Sequence, residues 1–167
     1  MEKESYFHIF RGRGWPTPSQ LERYFLTPSR QQWVRETQSD CWALSAEGLE
    51  GTGQLPDNER VDLVLTMTAH PDHGVLLNYR KFGGGYNDSF FSKRDLSRLR
   101  EWVETAHGDL NPVGLYIPFE SAWKAVKEFM ATDGQLPKSI EWVAGDDLPA
   151  DAFPDPYLMR ISSEEHQ

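Results

Sequence analysis

The chain of 167 residues carries 26 acidic against 17 basic side chains, a formal charge of −9 with neutral histidines. That balance argues against binding nucleic acid through its phosphates, which calls for a basic face, and it permits attraction to a basic partner. A 13% aromatic content with six Trp excludes extended disorder, and a single Cys excludes an internal disulfide framework and fits a reducing cytoplasm.

No apolar run approaches the roughly 20 residues of a membrane span. The opening MEKESYFHIFRGRG lacks the apolar core and cleavage site of a secretory signal, so a cytoplasmic location is expected. The length suits one domain over 1–145 with an acidic, Pro-rich tail over 146–167.

In chain order, residues 5–10 predict a short strand, which Gly12, Gly14 and Pro16 end. Pro18 to Leu26 predicts a helix with Leu21, Tyr24 and Phe25 on one face. A turn or helix over Arg30 to Glu36 is expected to bury Trp33 and Val34. Cys41 to Ala46 reads as a strand, and the Gly-, Pro- and acid-rich stretch Glu47 to Arg60 as a loop. Val61, Leu63, Leu65 and Met67 alternate with period two, as do Val75, Leu77 and Tyr79 after the turn residues His70 to Gly74. The two runs predict an antiparallel hairpin ended by Gly83–Gly85. Tyr86 to Phe91 sets polar residues beside exposed-looking aromatics. Ser92 then has the position of a cap, with Asp95 three residues on, for a helix from Lys93 to Glu104 that buries Leu96, Leu99, Trp102 and Val103. Gly108 to Gly114 reads as a turn-rich loop.

The stretch from Ile117 to Val143 organises the rest. Pro118 suits a first helical position. Phe119, Ala122, Trp123, Val126, Phe129 and Met130 then recur at spacings of three and four, an apolar stripe along a helix. Glu120, Lys124, Lys127 and Glu128 occupy its other face. Gly134 and Pro137 end the helix, and Lys138 to Val143 reads as a strand. In the tail, Phe153, Tyr157, Leu158 and Met159 are candidates for docking, and the last residues, SSEEHQ, for fraying. The mixture predicts an α+β domain, an antiparallel sheet with two to three amphipathic helices on one side.

Chemistry-bearing residues are few. His70, Asp72 and His73 suit a metal in residue type, with His107 and Asp109 as remote completions, but HPDHG is also what a tight turn requires. Cys41 reads as a small core residue, and no G-x-S-x-G elbow surrounds any serine. Gly83–Gly85 lacks the flanking residues of a phosphate loop. Lys93, Arg94, Arg98 and Arg100 read as a solvated face, and Asp146 and Asp147 as part of a solvated tail. A small metal- or cysteine-dependent enzyme using the His70/Asp72/His73 loop or Cys41 is the alternative to a binding protein.

Ile117-Pro118, Ala122, Ala125-Val126, Glu128-Phe129, Leu136-Pro137 and Ile140-Glu141-Trp142 together resemble the C-terminal signature of immunity protein family 1 of bacterial polymorphic toxin systems. The likeness extends less closely over 61–143, with 93–104 a departure from shorter members. The resemblance implies an α+β fold, no enzymatic activity, no cofactor, and a protein partner, the cognate toxin, often a nucleic-acid deaminase. Inhibition would be occlusion of the toxin's active site or substrate groove, with neither nucleic acid nor membrane bound. The pattern offers Tyr86, Asp88, Phe90 and Phe91 on the Gly-rich loop as contact residues and Glu47, Glu50, Asp57 and Glu59 as steering charges.

Overall fold

The computed structural model describes residues 1–157. Its strands are β1 (Glu2–Phe7), β2 (Phe10–Arg13), β3 (Cys41–Leu49), β4 (Val61–His70), β5 (Gly74–Gly83), β6 (Tyr86–Ser92), β7 (Trp102–Glu104), β8 (Leu110–Pro112), β9 (Tyr116–Ile117) and β10 (Trp142–Ala144). Three α-helices, α1 (Pro18–Leu26), α2 (Trp33–Thr37) and α3 (Phe119–Ala131), complete the regular elements together with short 3-10 turns. Eight strands form one antiparallel sheet in the order β10-β6-β5-β4-β3-β1-β2, with β9 beside the start of β5; β7 and β8 make a separate hairpin. The fold is α+β.

Alternation decides which face is buried. Trp42, Leu44 and Ala46 of β3, Leu63, Leu65 and Met67 of β4, and Val75, Leu77 and Tyr79 of β5 all point to one side. There they meet Leu21, Tyr24 and Phe25 of α1 and Ala122, Trp123, Val126 and Phe129 of α3. Each large apolar side chain withdrawn from water contributes about 1.5–3 kcal/mol, so this layer dominates stability. At its centre Trp33 stacks on Trp42 at 3.9 Å and 18°. Phe7 packs against both. α1 starts with a full capping box, Thr17 and Gln20 each satisfying the other's backbone N–H.

A second, smaller cluster lies on the opposite face near β5, β6 and β10. Leu76, Leu115, Tyr116 and Val143 form it, with Phe91, Leu99, Val103 and Leu148 against them. Ala152 is buried, its carbonyl accepting from Trp102 Nε1 at 2.9 Å, and Phe153 lies 5.1 Å from Phe91. Leu158, Met159 and SSEEHQ lie outside the described residues.

Several elements differ from the sequence reading. The helix expected over 93–104 is replaced by one 3-10 turn, Leu96–Arg98, and the strand β7. Its first N–H groups are used elsewhere: Arg94 and Asp95 both donate to Gly114 O, at 3.0 and 2.9 Å. Ser92 does not cap it. Its hydroxyl accepts from Leu77 N at 2.9 Å and donates to Leu115 O at 2.7 Å, joining the end of β6 to the approach of β9. The strand expected over 5–10 is two strands, because His8 turns the chain at φ 48. Trp33 is buried but Val34 is 41% exposed. Glu47, read as loop, belongs to β3. The strand expected over 138–143 shrinks to Trp142–Ala144, since residues 135–141 fold back over the core and seat Leu136 and Ile140 against it.

Candidate partner-binding surface

Tyr86 to Phe91 is a strand rather than a loop, and its alternation separates the aromatics meant as exposed contacts. Phe90 lies opposite Tyr79 and packs on the main core, while Phe91 points through the other face into the second cluster. Both are half-buried, which corrects the exposure read from the pattern. Asp88 is exposed, in register with Lys81.

Tyr86 and Glu50 do come together. The Tyr86 hydroxyl donates to Glu50 Oε1 at 2.9 Å and Lys81 Nζ donates to the same oxygen at 3.2 Å. Lys81 also lies over the Tyr86 ring at 4.0 Å. These bonds hold the Glu50 carboxyl below its ordinary range. Glu50 and Lys81 border an open groove of about 670 Å³ between the Gly48–Gln54 turn and Thr132–Gln135.

Glu47 and Asp57 gather instead around Arg60, which reaches Asp57 at 3.0 Å, Glu47 at 3.8 Å and the buried Asp62 at 3.0 Å. Asp62 also accepts from Gly48 N at 3.0 Å, where the β3–β4 register shifts between Glu47 and Leu49. Arg60 is thus the fixed centre of a small ion network that spacing alone did not reveal. Glu59 is exposed on the adjoining turn. So Glu47, Glu50, Asp57 and Glu59 occupy one end of the molecule, two of them on Arg60 and one on Lys81.

The residues that invited catalysis serve local structure. His70 Nδ1 accepts from Asp72 N at 3.1 Å inside the turn, and burial with His73 alongside lowers its pKa, which keeps that acceptor available. His70 and His73 have ring centroids 4.7 Å apart. Among the described residues, no group of three or more His, Cys, Asp or Glu is placed to hold a metal ion. His107 and Asp109 sit in the β7–β8 turn, whose backbone is tied by Thr105 Oγ1. Burial pushes the half-buried Cys41 thiol up, the reverse of what an attacking thiolate needs. Gly84 N is already bonded to Asn58 O at 3.2 Å. No helix among the described residues is long and apolar enough to cross a membrane.

The signature residues of 117–143 hold the scaffold. Ala122, Ala125, Val126 and Phe129 form the buried stripe of α3. The Glu128 carboxylate accepts from Lys138 N, and Trp142 Nε1 donates to Pro137 O at 2.7 Å, closing the return loop. Glu141 O accepts from Lys93 N at 3.1 Å, bringing β10 beside the end of β6.

The family model described as Immunity protein Imm1 matches residues 93–144. The match contains the whole signature and also the stretch 93–104 that the sequence reading set aside as a departure, and it stops short of the β4–β5 hairpin. No curated protein and no solved structure matches the chain significantly.

Proposed function

We propose that this chain is a cytoplasmic immunity protein that binds and neutralises a cognate bacterial toxin of a nucleic-acid-targeting kind, deaminase or nuclease. The match over 93–144 carries the reading, because its signature residues build α3, the return loop and β10. The mode of action is occlusion of the toxin's active site or substrate groove, with no chemistry supplied by this chain. The −9 charge suits a partner whose groove is basic, and steering of that kind raises association rates by about 10–1,000-fold at low salt. The end of the molecule carrying Glu47, Glu50, Asp57 and Glu59, with Tyr86 and Asp88 beside them, is the proposed point of first contact.

The test is growth rescue. Cells expressing the toxin domain encoded beside this chain should die without it and grow with it. The two proteins should co-purify in equal amounts, with recovery falling as salt rises. Continued killing at matched expression would refute the immunity reading.

A further inference from the structure

The sheet has two faces, and only one is fully covered. On the side away from α1 and α3, the end of the sheet formed by Cys41, Thr68 and Leu76 lies in one cross-strand row leading to Tyr116 and the second cluster. Beyond that row the floor on β3 and β4 is short-chained and uncharged, and charge stands at its margins, the exposed Arg80 opposite Val64 on one side and Glu4, paired with Arg13, opposite Ser45 on the other. Ala43 faces Thr66, which faces Asn78, and Ser45 faces Val64, all of them part-exposed. The watered face of a central strand usually carries long charged side chains, whereas the core of a protein interface is depleted of charge and ringed by a polar rim.

The rim here matches that second description. Tyr6 on β1 and Phe82 on β5 are 47% and 38% exposed and flank the floor from opposite sides. Both are of the aromatic type that anchors interfaces. The row nearest the Gly48–Arg60 turn is acidic. Glu2 lies directly opposite Glu47, and Glu47 directly opposite Asp62. Like charges placed opposite one another in a sheet oppose folding, and Arg60 bonds to Glu47 and Asp62 but to no atom of Glu2. A cationic surface laid across that row would relieve the repulsion.

We propose that this open sheet face is where the chain seats its toxin. The acidic row lies against lysines and arginines of the toxin's nucleic-acid-binding groove, and the short-chained floor receives a convex element between Tyr6 and Phe82. The inference rests on the immunity reading and adds to it the docking face. It also moves the main contact from the β5–β6 tip to side chains of β1, β3, β4 and β5.

The probe is the toxin domain encoded beside this chain, titrated against the full chain and three double variants by surface-immobilised binding, with growth rescue in parallel. Ala43→Arg with Val64→Arg fills the floor at positions that already face water. Its affinity is expected to fall by about 100-fold or more and rescue to be lost. Glu2→Lys with Glu47→Lys is expected to slow association about tenfold at low salt, the gap closing near about 0.5 M salt. Lys124→Glu with Lys127→Glu, on the exposed side of α3, is expected to bind like the wild type. A floor variant with wild-type thermal unfolding that binds as well as the parent would overturn the inference. So would loss of binding confined to the α3 variant. If the floor variant unfolds, the association rate of the Glu2/Glu47 variant decides, an unchanged rate counting against the proposal. Failure of the wild type itself to bind or rescue would instead sink the immunity reading beneath it.

Discussion

At the scale of single residues, the buried hydroxyls are the informative groups. Ser92 was legible only as a cap, because Ser followed three residues later by Asp fits that role locally; its two real partners are 15 and 23 residues away and leave no mark on spacing. Tyr79 donates to Gly134 O at 2.8 Å, and Tyr116 accepts from Asn111 Nδ2 at 3.2 Å. Burial pushes both phenols from 10.0 up to about 12. A raised phenol favours the protonated native state, so its contribution is complete below the unfolded value and is lost as pH climbs from 10.0 to about 12. Urea unfolding midpoints should therefore fall steeply between about pH 10 and about pH 12, and Tyr116→Phe, which keeps the ring, should make that fall shallower. An identical slope in the variant would show that Tyr116 is not held protonated.

Among elements, those with one unbroken period were legible. The stripe of α3, the helix α1 and the alternating β4–β5 pair stand where periodicity places them, because a buried face leaves its period in the residues. The stretch 93–104 failed for the opposite reason. Its apolar residues serve different neighbours, Leu99 and Val103 the second cluster and Trp102 the carbonyl of Ala152, so helical spacing there is coincidental. The turn at the start of β5 shows how one element fixes another. Gly74 has φ 101, and a Cβ there would meet Ile117 O at 1.9 Å, against the backbone of β9. Gly74→Ala should cost about 3 kcal/mol in urea unfolding. Gly85→Ala, at φ 92 with open space around it, should cost only about 1 kcal/mol. Equal losses would mean that backbone conformation alone, without the contact to β9, sets the penalty.

For the molecule as a whole, the class of fold and the acidic character could be read directly, and the surface could not. The acids at 47, 50, 57 and 59 look like one loop in sequence, yet the structure draws Glu47 and Asp57 to Arg60 and Glu50 to Lys81. The floor of the open sheet face left a faint signal, the short residues Ala43, Ser45, Val64 and Thr66 between the buried ones of β3 and β4. Reading it required knowing that α1 and α3 both lie on the other side. The two apolar clusters also differ in size, 22 buried residues against four. Hydrogen exchange should consequently be slowest in β3, β4 and β5, while amides of β7, β8 and residues 148–152 exchange by a lower-energy opening. One common rate for both groups would mean that the small cluster opens only with global unfolding.

The path through Ser92 has a temporal consequence. After β6 the chain crosses one side of the sheet, slips through its plane at β9, lays α3 on the other side and returns as β10, encircling the strand it has just left. The first strand likewise reaches the end of α3 through Lys3 and Asp133, 130 positions apart. During synthesis the early strands therefore leave the ribosome with the part of their apolar side that α3 covers still bare, and the clasp closes only once the last quarter of the described chain has emerged. A translation stall before α3 would release a half-built, adhesive sheet, so this architecture ties useful protein to finished protein.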